Sequence, residues 1–301
     1  MNENVLLVGK NMNLFEDETG ATTASTDIAK VDYKVELIET IFQKTIFEQV
    51  CDTQPTATPS GLVYSTTRLP SGGIGTKSVA FEVEETKIPS KFTKEWLQDY
   101  IHKFGDTGII KLKKYISWDI KDILEQKFIT ALNTMAEVQP TVTLGNTNIT
   151  DEFMKIVAAY NKALAKMASE HKRGYSPYIV CSQKVGAALT TIGQIKFDEN
   201  EDNVNREFLG WYGRTRVFVD NAATSDYLTI GHFDNMLGGS SLIFCPYVID
   251  DGIVDDYSVE ESAVYVLARC KFVRNPFDVS GDGNSIFAKR IPINFSAMTI
   301  F

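Results

Sequence analysis

The chain has 301 residues, 44% hydrophobic and 23% charged, the proportions of a soluble globular protein with one large or two moderate domains. Its 30 lysines and arginines against 39 aspartates and glutamates leave a net charge of −9 with no compensating basic block. That argues against nucleic-acid binding as the main task, which rests on neutralising phosphates. No run approaches the roughly 18 apolar residues of a membrane span, and "MNENVLLVGK" lacks the charged start, apolar centre and small-residue exit of a signal peptide, so folding in a cytoplasm is expected.

Residues 1–33 are polar, with one short apolar run at Val5, Leu6, Leu7 and Val8, and cannot bury enough surface to fold alone. Residues 34–50 carry Ile38, Phe42, Ile46 and Val50 at helical spacing, widened by Leu37, Ile41 and Phe47. "CDTQPTATPSG" breaks that helix. A long β-hairpin is expected next, running to Pro89, with "GLVYSTTRL" and "VAFEVEETKI" as strands around the glycine-rich "PSGGIGTKS". Val79, Phe81 and Val83 alternate against Ala80, Glu82 and Glu84, the period of a half-exposed strand.

Thr93 and Gly105 read as the cap and stop of a helix over 93–104. After a short basic link, Ile116, Ile120, Leu124, Phe128, Leu132 and Met135 mark a helix over 116–138, roughly 34 Å long at 1.5 Å per residue. Another helix opens at Thr150, with Phe153, Val157, Tyr160, Leu164 and Met167 on one face, and ends near Gly174. "YSPYIVCS" reads as a buried strand, "QKVGAALTTIG" as a short helix, and "GRTRVFVDNAATSDYLTIGHF" as two strands around a turn. "LIFCPYVI", "SAVYVLARCKFVRN" and "IFAKRIPINFSAMTIF" are further strands, giving an α+β chain without regular strand–helix alternation.

No chemical motif passes its own spacing test. In "PSGGIGTKS", Thr76 stands before Lys77 where a phosphate-wrapping loop needs glycine, and both flanks read as strands. "DVSGDGN" begins like a calcium loop from Asp278, but its twelfth position is Lys289, a cation where a bidentate glutamate is required. A turn is expected there. His102, His171 and His232 have no metal-ligand spacing, and no G-x-S-x-G elbow marks a nucleophile. Cys51, Cys181, Cys245 and Cys270 form no CxxC pair and are expected to be buried free thiols. No catalytic residue, cofactor or metal is expected.

The order of parts resembles the major capsid proteins of tailed bacteriophages with the Hong Kong 97-type fold, and within them the T-even-like myophage branch. The residues carrying this are "FTKEWLQDYIHKFG" with "ISWDIKDILEQKFITALNTM", similar to the family's helix–Gly–spine pair, then "YIVCSQKVGAALTTI", "VFVDNAATSDYLTIGHF", "LIFCPYV" and "RCKFVRNPF". The chain is short for that branch, and Cys270-Lys271-Phe272 replaces its usual Thr-Arg-Tyr. The resemblance implies an N-terminal arm and helix (1–50), an extended loop (51–92) and a peripheral domain with a spine helix (93–145). An α/β axial domain (146–245) and C-terminal strands returning to the peripheral domain (246–301) would follow. Leu14-Phe15-Glu16 is similar to the family's maturation cleavage pattern.

The implied function is self-assembly into hexamers and pentamers of an icosahedral head shell in the virion, enclosing DNA without sequence-specific binding. Scaffold, portal and decoration proteins are the implied further partners. Self-association would run through the loop residues Gly72, Gly73, Ile74, Gly75, Lys77, Val79, Phe81 and Val83, and through Val5, Leu6, Leu7 and Phe15 of the arm. The competing readings are an encapsulin-like nanocompartment shell, a capsid vertex protein and, from another class, a nucleotide-binding enzyme using residues 70–78.

Overall fold

A computed structural model describes residues 45–68, 74–146, 148–171, 177–193, 195–196, 207–233, 239–254, 261–280 and 282–296. The expected arm, and the helix over 34–44 with Leu37, Ile38, Ile41 and Phe42, lie outside the described residues. The helix is seen in its last turn, α1 (Ile46–Val50), where the Thr45 hydroxyl accepts the Glu48 N–H. Ile46, Phe47 and Val50 are buried, and the Phe47 ring lies 4.7 Å from Phe244 and 5.2 Å from Phe272.

The expected hairpin is divided. Strands β2 (Ser60–Arg68) and β3 (Ile74–Glu82) pair antiparallel, but the chain turns away at Val83, and β4 (Glu84–Thr93) pairs instead with β12 (Glu261–Arg274). Pairing with β12 moves the end of the hairpin from Pro89 back to Glu82.

Helix α2 (Lys94–Phe104) begins and ends as expected: the Thr93 hydroxyl accepts the Trp96 N–H, and Gly105 takes φ 58°. The expected basic link is itself helical, because Gly105 also starts α3, which runs without a break from Asp106 to Met135. Thirty residues span about 45 Å. Ile116, Ile120, Leu124, Phe128 and Leu132 are all buried, so the seam read from the sequence is the one that packs.

Two sheets flank this helix. In the four-stranded sheet the order is β1 (Asp52–Thr53), β11 (Leu242–Val254), β12, β4, with β1 parallel to β11 and the rest antiparallel. The seven-stranded sheet runs β5 (Glu137–Val138), β13 (Ala288–Asn294), β10 (Tyr227–His232), β7 (Pro177–Ser182), β9 (Thr215–Asp220), β8 (Phe208–Tyr212), and β6 (Val142–Thr143) also pairs with β13. β9 and β10 form where expected, yet they do not pair with each other. β7 lies between them, parallel to β9 and antiparallel to β10. The segment 246–301 likewise divides, with β11 and β12 in the smaller sheet and β13 in the larger.

All six residues of β7 are buried because both faces of its sheet are covered. Tyr178 and Val180 join the cluster around α1 and α3, whereas Ile179 and Cys181 join the cluster under α4 (Ile149–His171) and α5 (Gln183–Thr191). Phe153, Val157, Tyr160, Leu164 and Met167 supply α4's share of that core. The α+β fold class holds. Among the described residues no helix is long and apolar enough to cross a membrane.

Candidate assembly surfaces

Opposed residues of an antiparallel pair share a face, so the β2–β3 register sorts the hairpin into two sides. One side holds Gly61 with Phe81, Val63 with Val79, and Ser65 with Lys77. This side is anchored to its own chain: Val63 is buried with Ile243, Cys245 and Val273, and Phe81 packs half-buried against them. The Ser65 hydroxyl donates to Asn275 Oδ1 at 3.1 Å, and the Lys77 ammonium sits 4.8 Å from the centre of the Phe277 ring. The other side holds Leu62 with Ala80, Tyr64 with Ser78, and Ile74 at the far end. It faces solvent, with Leu62 52%, Tyr64 51% and Ile74 78% exposed. Gln54 fixes the root of this face, accepting the Tyr64 N–H and donating to the Tyr64 carbonyl.

Of the residues singled out from the sequence, Val79 and Phe81 therefore lie on the anchored side, and Val79 keeps 37% exposure. Val83 is half-buried at the break between strands, its N–H donating to the Pro59 carbonyl. Gly75 is half-buried opposite Thr67, whereas Gly72 and Gly73, like Val5, Leu6, Leu7 and Phe15, lie outside the described residues. The sequence reading missed Leu62, Tyr64 and Ala80. The alternation of Leu62 and Tyr64 in "GLVYSTTRL" was their signal.

A second exposed surface was also missed. Phe92, Trp96, Tyr100 and Phe104 recur every fourth residue, and their rings form a ladder with centroid spacings of 4.7, 4.9 and 4.8 Å. Phe92 roots it in the core, while Trp96 and Phe104 are 42% and 45% exposed. Gly108 closes the far end, where a Cβ would stand 2.8 Å from Phe104 Cβ and 2.9 Å from the Tyr100 ring.

Between α1 and α3 lies a buried charge cluster. Glu125 Oε1 accepts the Ile46 N–H at 3.0 Å, and the Lys121 ammonium stands 3.6 Å from Glu125 and 3.1 Å from Glu207. Burial pushes the Glu125 carboxyl up to about 8, with Lys121 opposing and Glu207 adding to the rise. Burial also raises Glu48 to about 7. Asp122, Glu125 and Glu207 bring carboxylate oxygens within 4.8 Å of one another, but Lys121 already supplies a cation there. The geometry reads as a Lys121–Glu207 ion pair with the proton-holding Glu125 beside it. At the other end of α1, Arg216 donates to the Gln49 carbonyl at 2.9 Å.

The remaining sequence candidates are structural. Asp278 is buried and accepts from Ser285, the Phe287 N–H and Arg274; Val279 bridges Ser285, and Gly283 takes φ 81°, so "DVSGDGN" is a turn. Lys289, at the twelfth position, is buried and donates to Glu137, Glu170 and the Ser285 carbonyl. His102 is exposed on α2, whereas His232 is buried 5.7 Å from the Phe287 ring. All four cysteines are buried free thiols; burial holds Cys51 well above its usual range and pushes Cys181, Cys245 and Cys270 up to about 12. A groove of about 530 Å³ beside α3, lined by Ile123, Ala131 and Phe272, has Glu84, Lys127 and Lys271 as a paired charged rim.

Two sheets flank one long helix and a hairpin is anchored on the smaller sheet, and the solved structures this fold resembles are shells. It superposes on the virus-like particle from Pyrococcus furiosus with TM-score 0.57 at 11% identity, covering 85% of this chain and 95% of that one. The bacteriophage PhiM1 mature capsid gives 0.55 at 8%, covering 93% and 90%, and the satellite phage P4 procapsid with its size-determination protein 0.52 at 10%, covering 87% and 99%. At such identities the likeness is one of fold. No curated protein matches by sequence. The family model for major capsid protein Gp23 matches residues 73–290, and the chain belongs to that family. It is a structural protein that builds the shell of a phage head.

Proposed function

We propose that the subunit forms hexamers and pentamers through the 60–82 hairpin, with its outward face lying on the neighbouring subunit. The observation that carries this is the pair of faces: one anchored by Val63 and Phe81 to the subunit's own sheet, the other presenting Leu62, Tyr64, Ile74 and Ala80 to solvent. A folded chain keeps such an apolar strip exposed at a cost, and a second copy that covers it recovers about 25 cal/mol per Å². Val79, which keeps 37% exposure on the anchored side, and the glycines Gly72, Gly73 and Gly75 join this contact, the glycines letting the tip bend differently at five-fold and six-fold positions. Lys77 holds the hairpin against Phe277.

In this reading α2 and α3 form the peripheral part, residues 146–245 surround the capsomer centre, and residues 1–33, with Val5, Leu6, Leu7 and Phe15, order on a neighbouring subunit. Scaffold, portal and decoration proteins are the further partners. The net charge of −9 suits a shell that encloses DNA without adhering to it. The chain carries no catalytic role.

The test is negative-stain electron microscopy and size-exclusion chromatography of the full chain beside a Leu62→Asp, Tyr64→Asp double variant. Shells, tubes or rings from the unsubstituted chain, lost in a variant that melts at the same temperature, support the reading. Equal shell yield from both overturns the role of the hairpin face.

A further inference from the structure

The ring ladder of α2 is a rigid apolar strip rooted in the core by Phe92 and closed by Gly108, with Trp96 and Phe104 nearly half exposed and the Lys103 ammonium 5.5 Å above the Phe104 ring. It sits in a basic stretch: residues 87–114 contain seven lysines (87, 91, 94, 103, 111, 113 and 114) against Glu95, Asp99 and Asp106. Lys91, Lys103 and Lys111 are exposed. A locally positive aromatic strip on a chain of net charge −9 fits an acidic segment with its own apolar residues.

The chain contains one. Residues 1–33 hold two lysines against six acidic residues, and three of those acids, Glu16, Asp17 and Glu18, directly follow Leu14 and Phe15. We propose that the α2 ladder and its lysines receive residues 14–18 of a second copy of this chain, Leu14 and Phe15 covering Trp96 and Phe104 while the three carboxylates meet the lysines. This rests on the arm reading under Proposed function and names the arm's receiving surface. Twenty-six residues separate Glu18 from Thr45, where the described chain begins; the helix expected over 34–44 takes about 16 Å of the span, and residues 19–33, extended, up to about 50 Å more. A chain of this length has a radius of gyration of about 19 Å, so the segment reaches an adjacent subunit. Single-stranded nucleic acid could also stack on exposed rings among lysines, but the acidic balance of the chain favours the protein segment.

The measurement is fluorescence anisotropy of a labelled peptide of residues 10–22 titrated into the full chain. Saturable binding is expected. It should weaken at least tenfold in a Trp96→Ala, Phe104→Ala variant and in Lys103→Glu, and recover against Lys103→Glu when the peptide carries Glu16→Lys, Asp17→Lys and Glu18→Lys. No saturable binding, equal binding by all variants, or tighter binding of a single-stranded oligonucleotide at the ladder overturns the proposal. In shells made from mixed light and heavy isotope-labelled chains, carbodiimide should link residues 16–18 of one label to Lys91 or Lys103 of the other. Links confined to single chains overturn the second-copy assignment. Intact shells without peptide binding would sink this inference alone, whereas loss of the hairpin-dependent assembly would sink the function it rests on.

Discussion

Glu125→Gln tests whether the cluster joining α1 to α3 holds a proton. Glu125 is 3% exposed at its side chain, and one ammonium, Lys121, faces it together with the carboxylates of Glu207 and Asp122. Its carboxyl is pushed from 4.5 to about 8, so the folded state binds a proton that the unfolded state releases. The sign follows: this contribution to stability is complete below pH 4.5, declines as pH rises through the interval and is gone above about 8. One proton limits the slope to about 1.4 kcal/mol per pH unit. Glutamine keeps an oxygen for the Ile46 N–H and cannot ionise. The assay is thermal unfolding of both proteins from pH 5 to 9. The variant should gain on the unsubstituted protein by up to about 3 kcal/mol between pH 5 and 8, roughly 6 °C for a chain this long, and the difference should level off beyond. A difference that stays constant across the range would show that Glu125 titrates normally and that burial is not what governs it.

Val63→Ala, on the anchored face of the hairpin, should cost about 1–2 kcal/mol of subunit stability in chemical denaturation, while Leu62→Ala, directly beside it, should change stability by less than about 0.5 kcal/mol. Reversed costs would mean the two faces have been exchanged. Gly231→Ala would place a Cβ 2.2 Å from Tyr178 Cζ in the paired strand, and the ring is held by a 2.8 Å hydrogen bond to Ser241. A loss of about 1–3 kcal/mol or more is expected by calorimetry, and a neutral variant would disprove the close approach. The native protein should leave all four thiols unreacted with a thiol-specific disulfide reagent at pH 8 and expose four on unfolding. Rapid native reaction of any one would contradict its burial and its raised pKa.

Local pattern carried the helices far better than the sheets. The seam from Ile116 to Leu132 was readable because one face of α3 is apolar over its middle, and Thr93 and Gly105 announced α2 through their capping chemistry. The first ten residues of α3 were not readable, since Lys111, Lys113 and Lys114 cluster among their apolar residues and they follow a glycine that ends one helix and begins the next. The period of β3 was legible but the identity of its inner face was not. Both faces carry apolar side chains, and the choice is made by Ile243, Cys245 and Val273, which lie far along the chain. The same non-locality hid the insertion of β7 between β9 and β10 and the pairing of β4 with β12. The ladder of α2 was present as an i, i+4 series of aromatics, but rings at that spacing also line buried helix faces, and only exposure distinguishes the two.

The smaller sheet has a consequence for the timing of biogenesis. Its edge strands, β1 and β4, emerge from the ribosome early, while their partners β11 and β12 come some 170 to 190 residues later; the Ser65–Asn275 bond that anchors the hairpin closes a loop of 210 residues. Contacts of such separation make folding slow and leave a nascent chain unable to complete either sheet until its last strands are synthesised. A subunit that ends before Val273 and Asn275 therefore lacks the partners that hold Val63 and Ser65, and cannot set its hairpin in place.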